Sequence, residues 1–222
     1  MSRCVRGLAC VALLAASLAG GAGCDAFAWL LVQTVGPFVP EDESPAEITL
    51  ENRSVVILVD TKDTGLASDF PRIEISLADA LAKVLAEKKA CGPIVPAHSV
   101  EAVRRSEPGF AGWSVAQVGE YFNTDYVLHV ELFEFRLKDN PSSNVYRGYA
   151  EAAVRLVSPD SGEQVWPVLA AARLVKGETL PDADAEETGQ QERVLVDGFA
   201  EKIARHFYTY KLSELPLRPK VK

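Results

Sequence analysis

Apolar residues run unbroken through SVVILVD, residues 54–60, the pattern of a strand covered on both faces. The next stretch, PRIEISLADALAKVLAEKKACGP, repeats at helical spacing, with Leu77, Leu81, Val84 and Leu85 on one stripe and Gly92 and Pro93 at its close. A short strand in IVPA and a brief helix after Ser99 follow. In SVAQVGEYFNTDYV, Ser114 and Gln117 satisfy a capping box, and Asn123, tolerant of the left-handed turn, ends the helix.

Beyond residue 125 the period changes to two. YVLHVELFEFRL places Tyr126, Leu128, Val130, Leu132, Glu134 and Arg136 on one face, with His129 and Glu131 on the other, so neither face stays apolar along its whole length. YRGYAEAAVRLV sets Gly148, Ala150, Ala152, Val154 and Leu156 opposite Arg147, Tyr149, Glu151 and Arg155. SPDSGE is a turn-rich hairpin connection, LAAARLV a further strand, and KGETLPDADAEETGQ a polar loop. The closing helix, ERVLVDGFAEKIARHFYTY, stacks Leu195, Phe199, Ile203 and Phe207. The predicted fold is therefore α/β of the α+β kind. Strand, helix, strand and helix lead into an antiparallel meander and a closing helix, making a mixed sheet with helices packed on one face.

Upstream of this domain the pattern is different. Arg3 and Arg6, the apolar run GLACVALLAASLA and the small-residue tail GGAG are the three zones of an export signal, and the apolar run is too short to span a bilayer. Ala22, Gly23 and Cys24 resemble the box preceding the acylated cysteine of bacterial lipoproteins. That resemblance implies that Cys24 is the mature amino terminus, carrying a fatty acid such as palmitate. A cut after AFA, residues 26–28, would instead release an unanchored protein, but Asp25 disfavours it. From Asp25 to Pro37 the chain is mostly apolar, with Trp29 among aliphatic residues, and suits either a membrane-interface segment or a strap along the domain. The proline-marked, acidic stretch that follows reads as an extended linker. The expected organisation is signal peptide 1–23, anchor and tether 24–53, domain 54–213 and basic tail 214–222.

Charge and cysteines narrow the function. All 31 Asp and Glu lie beyond residue 23, as do 21 of the 23 Lys and Arg, leaving a net charge of −10 that disfavours nucleic acid as a partner. Of the four cysteines, Cys4 and Cys10 leave with the signal. Cys91 then packs as a free thiol, or bridges Cys24 if the latter escapes acylation.

VVILVD, then SVAQVGEYFNTDYVLHVELFEF with its helix turning into a strand at Asp125, then VRLVSPDSGEQVWP together resemble a domain of bacterial cell-envelope proteins. Its members include the amino-terminal domain of TolB, the lipoprotein activator of penicillin-binding proteins and the curli secretion lipoprotein. The chain is also similar to small planctomycete-type lipoproteins without an assigned role. The resemblance covers about residues 54–210, and its motifs are structural. It implies a periplasm-facing module, on the inner or the outer membrane, that binds or assembles envelope proteins without catalysis or cofactor.

Three chemical alternatives carry less weight. GWSVA lacks both the preceding strand and the final Gly of a nucleophile elbow. Asp60 and Asp63 end a buried strand, where phosphoryl-accepting aspartates occur, but they are separated by two residues rather than one. His129 and Glu131 share a strand face, which is two-thirds of a minimal zinc set, yet alternation alone produces that and no metal-ligand spacing accompanies it. A subunit of an outer-membrane secretion channel remains the alternative function, although its strands would need an uninterrupted apolar face. The expected partner surface is His129, Glu131, Arg147, Tyr149, Glu151 and Arg155, beside Phe133, because charges interleaved with aromatics suit protein recognition. A second route is pairing at the edge strand near residues 168–175, with another protein or a second copy.

Overall fold

The apolar run of SVVILVD forms strand β1, Val55–Thr61, in the computed structural model, which describes residues 42–140, 142, 144–182 and 188–214. The expected signal peptide, Cys24 and most of the tether lie outside the described residues. The chain divides into two compact units, Met1–Asp42 with Lys211–Lys222, and Glu43–Tyr210. In the first, the amide of Leu212 donates to the Asp42 carbonyl at 2.9 Å. The second carries the sheet, the helices and the core.

Strand β1 is covered on both sides because its alternate residues enter two clusters: Val55, Ile57 and Val59 a larger one, Val56 and Leu58 a smaller one. Its neighbours, β2 (Ile94–Val95) and β3 (Tyr126–Arg136), both run parallel to it. β3 then pairs antiparallel with β4, Tyr149–Val157. Two short strands share the far edge of β4: β5 (Gln164–Trp166) at Leu156–Val157, and β6 (Arg173–Glu178) along Tyr149–Val154. The expected mixed sheet, with parallel opening, antiparallel meander and closing helix, is the one observed.

Among the described residues five α-helices complete it. After the single turn and a half of α1 (Thr64–Asp69), the long α2 (Ile73–Glu87) and the closing α5 (Thr188–Ala204) cover one face of the sheet. Leu77, Leu81 and Leu85 from α2 meet Leu195, Phe199 and Ile203 from α5 in the main core, all fully buried as the helical stripes predict. The short α3 (Ala97–Ser106) and α4 (Val115–Phe122) bring Val100, Val103 and Val118 onto Val56, Leu58 and Val127 of the opposite face. Helix α4 starts on the expected capping box: the Gln117 amide donates to Ser114 Oγ at 3.2 Å, and the Ser114 amide donates to Gln117 Oε1 at 2.7 Å. It ends at Asn123 with φ of 51°, the left-handed turn.

The parallel start of β1 and β3 is fixed by a side-chain clamp. Asp125 Oδ2 accepts from both the amide and the hydroxyl of Ser54 at 2.7 Å, while that hydroxyl accepts from the Asp125 amide at 2.9 Å. These bonds set the register that opposes Val55 to Tyr126, giving the aspartate of the TDYV motif a structural role. The Ser54 side-chain hydrogen bond, followed by the backbone one, holds the Asp125 carboxyl below its ordinary value. Its folded pKa is thus the lower one, so its contribution is full above the unfolded value of about 4 and is lost as pH falls through the folded one. Asp125→Asn is therefore expected to flatten the acid limb of stability below about pH 4, and to cost about 1 kcal/mol at pH 7 by urea unfolding, the partial exposure keeping the loss small.

Three expectations change. The packed unit begins at Glu43 rather than near Ser54: EITL supplies Ile48 and a fully buried Leu50, which bridges to Cys91. Strand β6 begins at Arg173, so residues 167–172 form a loop and not the first half of a strand. The third change lies in β3, where a register shift between Leu132 and Glu134 inserts one extra residue. Phe135 and Leu137 thereby enter the core in place of Glu134 and Arg136, and one face of β3 is apolar from Leu128 to Leu137. Helices α2 and α5 cover that face, so packing, rather than interrupted alternation, is what withholds it from lipid. Cys91, without a disulfide partner among the described residues, is partly buried against the core, and burial pushes its pKa up to about 11, which lowers its reactivity at neutral pH.

Candidate functional site

Strand β2 is only two residues long, so beyond Val56 the outer edge of β1 has no strand to pair with. Side chains from α2 and α3 take the place of that strand. Arg104 of α3 donates from one guanidinium nitrogen to the Val59 carbonyl at 3.0 Å and to Asp60 Oδ1 at 2.7 Å, and from the other to Glu74. Glu74 in turn accepts from the Thr61 amide at 2.9 Å. A planar, forked donor suits this position, because it satisfies a main-chain carbonyl and two carboxylates at once.

The network continues across the sheet. Asp60 Oδ2 lies 2.9 Å from His129 Nε2, and Arg155 Nε donates to His129 Nδ1 at 2.9 Å. Arg155 stands directly opposite His129 in the β3–β4 register. Because Nδ1 accepts from a guanidinium it carries no proton, so the ring is the neutral tautomer and donates from Nε2 to Asp60. Both ring nitrogens are committed, which leaves no free lone pair to take a substrate proton. His129 is 5% exposed and is therefore not part of a surface, contrary to its expected role, and Arg155 braces it instead of standing free. Asp60, at the end of β1, is held by Arg104 and His129. Among the described residues no three His, Cys, Asp or Glu side chains gather to hold a metal ion.

The remaining predicted surface residues do lie on one open face. Glu131 pairs with Lys62. On β4, the Tyr149 hydroxyl donates to Glu151, whose carboxylate also meets Lys176 of β6 at 3.1 Å. The Tyr149 bond, with Lys176 adding to it, holds the Glu151 carboxyl below its usual value, while the hydrogen bond to Glu151 raises the Tyr149 and Lys176 values. The Arg136 guanidinium stacks 4.4 Å from the centre of the Tyr149 ring. Arg147 lies at the far end, 3.4 Å from Asp139 and 3.9 Å from Glu178.

Two apolar side chains complete this face. Phe133, turned outward at the bulge, is 48% exposed, and Leu174 of β6 is 51% exposed. Leu174 opposes Ala153 on β4 and Lys176 opposes Glu151, which puts Lys176 next to the tyrosine and Leu174 further along the same face. Sequence reasoning named Phe133 but missed Leu174, Lys176 and Arg136. The first two were hidden because the start of β6 was placed too early in the chain; the third because alternation without a bulge sends Arg136 to the other side.

No family model matches the chain, and no match was found among curated proteins. Among solved structures, it is similar to the lipoprotein GNA1162 from Neisseria meningitidis, at 17% identity over 68% of this chain and 98% of that one, with a TM-score of 0.43. It is similar to the PelC dodecamer from Paraburkholderia phytofirmans, at 13% over 75% and 95%, with a TM-score of 0.44. It is also similar to the LpoB C-terminal domain from Salmonella enterica, at 12% over 60% and 87%, with a TM-score of 0.31. These three TM-scores lie below 0.5, so none of the three assigns a function to this chain. Among the described residues no helix is long and apolar enough to cross a membrane.

Proposed function

We propose that this chain is a lipid-anchored, periplasm-facing protein of the bacterial cell envelope, whose folded unit binds or assembles other envelope proteins without catalysing a reaction. The anchor is assigned to Cys24, on the strength of the three-zone signal and the AGC box. The binding surface is assigned to the open face of β3, β4 and β6. The observation that carries this reading is the exposure of Phe133 and Leu174 on the face that also holds Tyr149, Glu151 and Lys176, within a frame of paired charges. Aromatic and aliphatic area ringed by polar groups that already hold their geometry is what recognition surfaces use, since little side-chain entropy remains to be lost on binding.

One experiment separates the two halves of the proposal. Cells expressing the wild type, Cys24→Ala, or Phe133→Ser with Tyr149→Ala are fed a labelled fatty acid, and protein partners are recovered after crosslinking. Label absent from Cys24→Ala alone, and a defined partner absent from the Phe133/Tyr149 variant alone, are the supporting results. Label retained on Cys24→Ala rejects the anchor; a partner retained by the sheet variant rejects the surface.

A further inference from the structure

Between β5 and β6 the chain reads PVLAA, residues 167–171, with no charged residue, and its two large side chains stand in solvent: Val168 is 83% exposed and Leu169 99%. Two adjacent bare aliphatic residues at a loop tip are not covered by any of the described residues, and apolar surface of this kind marks a contact with something else. The loop is nonetheless shaped. Gln164 Nε2 donates to the carbonyls of Pro167 and Ala170, each at 2.7 Å, closing the loop across its base. Its two ends are tied together by Glu47, which accepts from the Trp166 indole at 3.2 Å and pairs with Arg173.

Glu47 also belongs to the wall of a cavity of about 420 Å³ between β6 and the end of α5. Four cations line this wall, three of them already paired: Arg173 with Glu47, Lys176 with Glu151 and Arg205 with Glu201. Lys202 donates to the Lys176 carbonyl at 3.2 Å and has no carboxylate partner among the described residues. An apolar tip and this lysine thus share one root.

We infer that this loop and the adjoining lysine form a docking surface for an anionic lipid bilayer, with Val168 and Leu169 entering the leaflet and Lys202 meeting its phosphates. The tip protrudes and so suits a deformable surface. The two carbonyls that Gln164 holds would otherwise be costly to take out of water. The net negative charge of the chain does not oppose docking at this site, because charges beyond about 8 Å are largely screened at physiological ionic strength. The lipids respond to the lysine beside the loop. The inference rests on the membrane-anchored reading for its context and adds a second membrane contact to it.

The test uses the full chain reconstituted in vesicles, with Cys4, Cys10 and Cys24 replaced by Ser and Cys91 by Ala, so that acylation plays no part and the introduced cysteine alone takes the label. A fluorophore is attached through Leu169→Cys or, as a control on α2, through Lys83→Cys, and quenching by a spin-labelled phospholipid is measured. Quenching is expected at position 169 and not at 83, stronger with phosphatidylglycerol present than with phosphatidylcholine alone. Lys202→Glu is expected to lower the docked fraction about fivefold or more per charge, and Val168→Asp to lower it about tenfold. Absence of quenching at 169, or equal quenching at both positions, overturns the inference. So does a probe at 169 that is shielded only as protein concentration rises, which would mean that a second copy covers the loop. Neither result touches acylation of Cys24, which the fatty-acid label reads separately.

Discussion

Arg104→Ala is expected to destabilise the protein by about 3 kcal/mol, although the residue lies on a short helix at the sheet edge. Its guanidinium is the cation that Asp60 and Glu74 share, and it is also the donor to the Val59 carbonyl. Removing it leaves two carboxylates facing each other and a strand carbonyl unpaired, a larger loss than that of an exposed ion pair. Asp60 would retain only His129 as its partner in this network, so the effect should reach β3 and β4 through Arg155. Arg104→Lys is expected to recover less than half the loss, since an ammonium cannot form the fork. Urea unfolding reads both values. A loss below about 1 kcal/mol for Arg104→Ala would mean that water replaces the guanidinium freely.

Phe199→Ala is expected to cost more, about 3–5 kcal/mol, by removing one of the largest fully buried side chains. Phe199 joins α5 to β6, and its ring lies against the backbone of Gly177, where an added Cβ would come within 2.7 Å of Phe199 Cδ2. That closeness explains a glycine inside a strand. The cavity left by Ala sits between β6 and the helix carrying Lys202, so the edge strand should exchange its amide protons faster as stability falls. Hydrogen exchange together with unfolding tests this. Phe199→Leu, which keeps most of the volume, is expected to cost less than half as much. Equal losses for the two variants would contradict the packing assigned here.

The parts of the fold legible in the sequence are those fixed by local rules. Ser114, Gln117 and Asn123 define α4 because capping depends on residues within one turn, and the stripe from Leu195 to Phe207 survives because α5 is long enough to average out its exceptions. The misplacements are non-local. Alternation assigns His129 to the open face correctly, but face is not depth: Arg155 and Asp60 close over it from neighbouring strands. The bulge at Leu132–Glu134 shifts Arg136 beside Tyr149 and takes Phe135 inward, and nothing in YVLHVELFEFRL marks where an extra residue is absorbed. Leu50 was hidden by the acidic, proline-marked stretch before it, although its partner at Cys91 is 41 residues away in sequence and adjacent in space.

The central claim is that the open face of β3, β4 and β6, rather than the helical face, meets a protein partner at the membrane. The most direct measurement places a photo-crosslinking amino acid at Phe133 in one strain and at Lys83 on α2 in another, irradiates intact cells and compares the adducts. The account predicts a discrete adduct of defined mass from position 133 and none from position 83. An adduct from position 83 alone would contradict it.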